Sequence, residues 1–240
     1  GGKPTGIDLT PKLEEYRITY PENKGYEPFI LNDIGKDNDG AITIPYWEDG
    51  KCVGIKHHKP KNGKQSWWEG DGTIKWYNSW WFDAYHNDQL IICEGEKDAI
   101  TLYCINIPAI TSTNGAMSIP EDLSLLREFD SYIIIYDNDK AGNEGAEKLA
   151  ERMVIEFGKP VKIAQWRNGL QDGYDISDDA KNGFEEMDYA VTNSREYDED
   201  KVKTQQADQN REYKKSDMGN AEYLCDLFGE KIRYNHTTGK

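Results

Sequence analysis

The sequence predicts an α/β protein: a parallel sheet flanked by helices, preceded by a small β-rich α+β region. Three observations carry this expectation. Between residues 88 and 180, short apolar runs alternate with helix-like patterns, as they do where parallel strands are joined by crossover helices. Two of those runs, Leu90-Ile-Ile-Cys93 and Tyr132-Ile-Ile-Ile-Tyr136, are apolar without alternation, as strands buried on both faces are, and each ends in a cluster of acids. Residues 26–85 read instead as hairpin strands separated by turn residues, and six of the seven tryptophans lie between Trp47 and Trp81.

In chain order, residues 1–25 are polar, with Pro4, Pro11 and Pro21, and read as a lead-in linker with a short helix over 11–17. A small β-rich subdomain is expected over 26–86. There Ala41-Ile-Thr-Ile-Pro-Tyr-Trp47 has strand composition and Glu48-Asp-Gly50 turns the chain back into Lys51–His58. Lys59-Pro-Lys-Asn-Gly63 reads as a loop, and 75–77 as a further strand. The α/β domain is expected over 87–183, with strands at 89–93, 108–112, 132–136 and 161–166 and helices at 96–105, 120–129 and 142–157. Gly158-Lys-Pro160 suits a helix stop. Residues 184–215 are highly charged and poor in aliphatics, as a linker or exposed helix is. Residues 216–240 read as the opening of a following segment, with a capped amphipathic helix from Ser216 to Gly229.

The chemistry concentrates at the ends of the two apolar strands. Glu94 and Asp98 close the first, in Glu94-Gly-Glu-Lys-Asp98, and Asp137 and Asp139 close the second. Ligands of open α/β sheets bind at the carboxyl ends of strands. If the two strands are neighbours, the four acids meet on one edge. Like charges so placed repel unless cations hold them, and carboxylate oxygens suit Mg2+ or Mn2+. Each acid taken singly also fits a helix cap or first turn. Gly95 lets backbone come close behind such a site. Thr113-Asn114-Gly115-Ala116 is a small-residue loop that can offer N–H groups to phosphate, or simply turn the chain.

The pair of motifs, Glu94-Gly-Glu-Lys-Asp98 and Asp137-Asn-Asp139 with Ala141-Gly142, resembles the TOPRIM domain of bacterial-type primases, topoisomerases and some nucleases. The preceding region, with Ile44-Pro-Tyr, Gly54-Ile-Lys56 and Trp76-Tyr-Asn78, is similar to the small domain ahead of TOPRIM in phage primase-helicases. The resemblance implies a primase catalytic core that makes short RNA primers from nucleoside triphosphates on single-stranded DNA. In that reading Glu94, Asp137, Asp139, Asp175 and Asp178 are metal ligands, with Glu94, Asp98, Asp137 and Asp139 catalytic. Asp175 and Asp178 fit the further acid pair of these primases, although Tyr174 stands where a lysine is usual. Lys56, Lys59, Lys64, Lys97, Asn114 and Gly115 are the expected nucleic-acid or nucleotide contacts. A replicative helicase in the same full-length chain and a cytoplasmic place of action follow from the same resemblance. A TOPRIM nuclease using the same acids, and a non-catalytic template-binding module of a helicase, remain the alternatives. A topoisomerase would need a tyrosine nucleophile on a separate domain.

Composition sets further bounds. With 44 acidic and 29 basic side chains the formal charge is -15, opposite in sign to most nucleic-acid binders. The exception is Lys51–Lys64, which holds five lysines, two histidines and no acid. Lysines among aromatics suit a single strand, with phosphates on the cations and bases on the rings; a solvated hairpin face over a tryptophan core suits the same residues. His57 and His58 are adjacent, so on a strand they face opposite ways and do not share a metal. Cys52, Cys93, Cys104 and Cys225 form no Cys-x-x-Cys pair, which argues against zinc and against a disulfide framework. No apolar run is long enough to span a membrane. Gly1-Gly2 reads as a cloning remnant and Gly239-Lys240 as a cut, so a fragment of a longer protein is expected.

Overall fold

The computed structural model describes residues 7–18, 33–59, 65–73, 76–79 and 89–197. Lys64, the expected loop over 60–63 and the segments 198–215 and 216–240, with the helicase expectation they carry, lie outside the described residues.

A short helix, α1 (Thr10–Tyr16), precedes four strands of one antiparallel sheet: β1 (Gly35–Lys36), β2 (Ile42–Glu48), β3 (Lys51–Lys59) and β4 (Gln65–Gly70). The β2–β3 hairpin forms where expected. Asp49 and Gly50 both take positive φ, 48° and 73°, the pair of left-handed residues that a tight two-residue turn requires. β4 was not anticipated, because Gln65-Ser-Trp-Trp-Glu-Gly70 shows no clean alternation. Part of the expected lead-in linker is docked structure. Leu9 N–H donates to the Cys52 carbonyl at 2.7 Å, and Lys12 and Tyr16 both reach Glu69 on β4.

The second sheet has six strands in the order β10-β9-β8-β6-β7-β5. Its middle is parallel: β6 (Gln89–Cys93) lies between β7 (Ala109–Ser112) and β8 (Ser131–Ile135), and β9 (Val161–Ile163) pairs with β8. The central strands are buried almost throughout, which is why their sequences are apolar on both faces. Both edges are antiparallel. β5 (Trp76–Tyr77), expected with the first sheet, pairs with β7 instead, with Tyr77 opposite Thr111. β10 (Arg195–Glu196) pairs with β9, beyond the domain end expected at 183.

Helices α2 (Glu96–Tyr103) and α3 (Lys140–Phe157) follow β6 and β8. Asp139 caps α3 by accepting from Gly142 N–H at 2.7 Å, and Gly158, at φ 61°, ends it as the sequence indicates. The helix expected over 120–129 is only a 3-10 turn at Ser124–Glu128, entered through Asp122, which accepts from Ser124 N–H. A short helix, α4 (Ile176–Asp179), and α5 (Glu185–Thr192) complete the described elements. The first part of the charged segment after 183, as far as 197, is therefore folded in. Met187 and Ala190, three apart on one helix face, are buried, and Asp179 accepts from Met187 N–H at 2.7 Å. A single hydrophobic core joins Ile34, Ile44 and Tyr46 of the first region to Tyr77, Cys93, Ile133, Ile135 and Met187 of the second. No helix among the described residues is long and apolar enough to cross a membrane.

Candidate active site

β6 and β8 are hydrogen-bonded neighbours in parallel register, with Cys93 opposite Ile135. Their carboxyl ends therefore emerge side by side. The two acidic clusters meet there, and Asp137 N–H donates to Glu94 Oε2 at 3.3 Å. Asp98 sits one turn into α2 and is buried, its Oδ1 accepting from Ser177 N–H at 3.1 Å. That contact ties the start of α4 to the edge. Asp175 caps α4, accepting from Ser177 Oγ and Asp178 N–H, both at 2.6 Å. The 170–175 segment is held against the second cluster by backbone pairing: Asn138 N–H reaches the Tyr174 carbonyl at 2.9 Å, and Gly173 N–H returns to Asn138 at 3.0 Å.

The electrostatics report how closely these acids crowd. Burial, and after it the charges of Glu94, Asp98, Asp175 and Asp139, push the Asp137 carboxyl up to about 8. Burial and then Asp175 push Asp98 up to about 7, against the opposing pull of the Ser177 N–H and Lys97. Asp98 and Asp137 thus sense the other acids of this edge. The clustered acids of this edge offer carboxylate oxygens, a donor type that suits a hard divalent cation whose charge would relieve the repulsion. Among the described residues no three acid, histidine or cysteine side chains are grouped so as to hold a metal ion by themselves.

The other expected residues divide. Asp178 turns away, to Lys181 at 3.0 Å and Gln171 at 3.4 Å, and is absent from the charges acting on Asp98 or Asp137. Lys97 is exposed, with its ammonium 3.7 Å from Asp175 Oδ2. Asn114 is exposed and Gly115 turns the loop at φ 82°. Lys59 is half-buried at the end of β3. Lys56 is buried and committed, donating to Glu96 Oε1 at 2.5 Å and to the Thr113 carbonyl at 2.6 Å. Gly95 does not admit backbone: a Cβ there would meet Asp98 Oδ2 at 3.3 Å, so the small residue leaves room for a carboxylate. Tyr174, in the place of a usual lysine, is buried and donates to Asp179 Oδ1 at 2.8 Å. Glu96 escaped the sequence reading. It is two residues from both Glu94 and Asp98, and residues so spaced on a helix do not share a face.

Residues 91–179 match the family described as Toprim-like, Toprim_2. Those residues form a TOPRIM-like domain, and the proteins that the chain resembles include primases. It is 34% identical over 82 residues to a DNA primase of Geobacillus stearothermophilus, a match covering 34% of this chain and 14% of that one. It is 28% identical over 120 residues to the Gene 57 protein of Mycobacterium phage D29, covering 48% of this chain and 78% of that protein. Its fold is similar to the zinc-binding and RNA polymerase domains of the Aquifex aeolicus primase, with a TM-score of 0.52, 19% identity, and coverage of 81% of this chain and 52% of the other. The TOPRIM chain thus spans about half the length of that solved primase.

Proposed function

We propose that this TOPRIM chain is the catalytic core of a DNA primase, joining ribonucleoside triphosphates into short primers on single-stranded DNA. One observation carries the reading: the register of β6 and β8 brings Glu94 and Asp137 together at a strand-end edge where burial and the neighbouring carboxylates raise the proton affinity of Asp98 and Asp137. An edge so acidic suits a reaction in which cations and triphosphate arrive together. TOPRIM domains of primases are generally metal-dependent, and the oxygen donors here suit Mg2+ or Mn2+. Glu94, Asp137, Asp139 and Asp175 are the residues that would hold the ions. A divalent ion there would neutralise the triphosphate and polarise the reacting phosphoryl group.

The chain's own residues take the remaining roles. The primer 3′-hydroxyl attacks the α-phosphorus, pyrophosphate leaves, and the hydroxyl proton passes to Glu94. Asp98 holds the Asp175 cap in place through Ser177 N–H. Lys97 beside Asp175, with Asn114 and Gly115 in the neighbouring loop, contributes to binding the phosphates. Lys59 meets the template. A helicase belonging to the same full-length protein is the expected partner.

The deciding assay uses the purified chain, single-stranded DNA of mixed sequence, four labelled nucleoside triphosphates and Mg2+ or Mn2+. Short labelled products that disappear with Asp137→Asn and Asp139→Asn support the proposal. Priming that survives both changes refutes the mechanism. Degraded template without primers would point to a nuclease.

A further inference from the structure

Lys56 belongs to the basic island of the sequence, yet its ammonium lies in the interior. The side chains of Lys56 and Glu96 are each only 10% exposed. Lys56 Nζ donates to Glu96 Oε1 at 2.5 Å and to the Thr113 carbonyl at 2.6 Å, and Tyr46 OH donates to the same Glu96 oxygen at 2.7 Å. The ring of Tyr46 packs on Tyr77, with centroids 5.0 Å apart, so the polar group is walled by aromatics.

Three separate pieces of chain meet at this ammonium. Lys56 comes from β3 of the first sheet. Glu96 stands in the first turn of α2, between Glu94 and Asp98 in sequence. Thr113 follows β7 and immediately precedes Asn114-Gly115. A buried ion pair contributes little net stability, because desolvation offsets most of its attraction. It does fix the relative position of the groups it joins, since removing either partner strands a charge. Here the joined groups are the helix that carries Asp98 and directly follows Glu94, and the loop that follows β7.

We propose that Lys56 is a positioning residue, which locks the 113–116 loop to the start of α2 through Glu96, and that it makes no contact with template or nucleotide. Its effect on turnover rests on the primase reading; its effect on the loop does not.

The test compares wild type, Lys56→Met, Glu96→Gln and the double variant, each assayed well below its own melting temperature and normalised to folded protein. Glu96→Gln keeps a hydrogen-bonding side chain in place and guards against loss of fold. Priming kcat should fall roughly tenfold or more in each single variant, and the double variant should be no worse than the poorer single, since both changes break one unit. The KM for nucleoside triphosphates and the affinity for labelled single-stranded DNA should stay within about threefold of wild type. Amide hydrogen exchange in 113–116 should quicken in all three variants. A tenfold rise in KM or in template Kd for Lys56→Met, beside a Glu96→Gln variant of near-normal activity, would show direct contact and overturn the proposal. Normal turnover and loop exchange in every folded variant would overturn it as well, leaving the pair merely structural. If wild type itself does not prime, the primase reading fails, and loop exchange alone still decides for or against the clamp.

Discussion

Gly145→Ala should destabilise this protein, although alanine is the better helix former. Gly145 lies inside α3 and is buried. In an exposed helix the change would gain about 1 kcal/mol. Here a Cβ would stand 2.5 Å from the Ala116 carbonyl oxygen, 2.7 Å from its Cβ and 2.8 Å from its carbonyl carbon. Non-bonded carbon atoms rest at about 3.5–4.0 Å, so α3 and the 113–116 loop would have to part by several tenths of an ångström. The blocking atoms are backbone and a Cβ, so no side-chain rotation relieves the clash. Overpacking of this sort costs about 1–3 kcal/mol. Net of the propensity gain, a loss of up to about 2 kcal/mol is expected, or up to roughly 8 °C in Tm for a domain of this size. Calorimetry of the two proteins measures it directly. The parting would also shift Asn114 and Gly115 from the acidic edge, so priming per folded molecule should fall. A Tm equal to or above wild type would show that the loop yields freely and would refute the argument from close approach.

Three other outcomes are expected. Asp98 and Asp137 have folded-state pKa values raised to about 7 and about 8, so the folded chain keeps protons that the unfolded chain has released; stability is greatest below about pH 4 for these two groups and falls as pH climbs through their raised values. Without divalent cations, Tm at pH 8 should accordingly lie roughly 5–10 °C below that at pH 5, and Mg2+ should recover much of the loss at pH 8; a flat profile in scanning fluorimetry would contradict the crowding of charge. His57 is buried, its Nδ1 2.7 Å from Asp37 Oδ2 and its Nε2 2.8 Å from Glu69 Oε1, and it stacks on Trp67; His57→Phe keeps the stacking and removes both contacts, but Glu69 keeps Lys12 and Tyr16 and Asp37 keeps the Asp39 and Ala41 N–H groups, so the loss in urea unfolding should be about 1–3 kcal/mol, and an unchanged or raised stability would refute the argument. Asp175→Asn should lower priming at least about 100-fold while Asp178→Asn stays within about threefold of wild type, and the reverse order would move the working acid to Asp178.

The acidic edge was legible in the sequence because its parts are local. Leu90–Cys93 and Tyr132–Tyr136 state by composition that both their faces are buried, and a strand so buried needs neighbours on either side. Glu94 and Asp137 each stand directly after such a strand, so adjacency of the two strands was enough to bring them together. Asp49-Gly50 was equally plain, since few residues tolerate two successive positive φ values. Partner choice across long separations was not legible. Nothing in Trp76-Tyr77 tells whether this short edge strand follows β4 or crosses to β7. Met187 and Ala190 are two apolar residues among many charges, a signal too thin to mark α5 as packed.

Lys56 shows the limit most clearly. Strand alternation separates its face from that of His57, and the two do point to different partners, Glu96 and the Asp37–Glu69 pair. The basic island therefore does not act as one surface. Its two buried members, Lys56 and His57, are each engaged by acids of this chain, and Lys51 and Lys59 at the ends of β3 are left nearer the surface. Glu96 and Glu69 are paired inside the chain, with Lys56 and Lys12, so these pairs add nothing to the net charge of -15 that a nucleic acid would meet. Among the described residues, acids crowd one another most around Asp137, whose carboxyl burial and neighbouring charges push up to about 8. A polyanionic template and a triphosphate can approach that cluster only with cations between, so in this protein the acid excess and the chemistry proposed for it have the same physical origin.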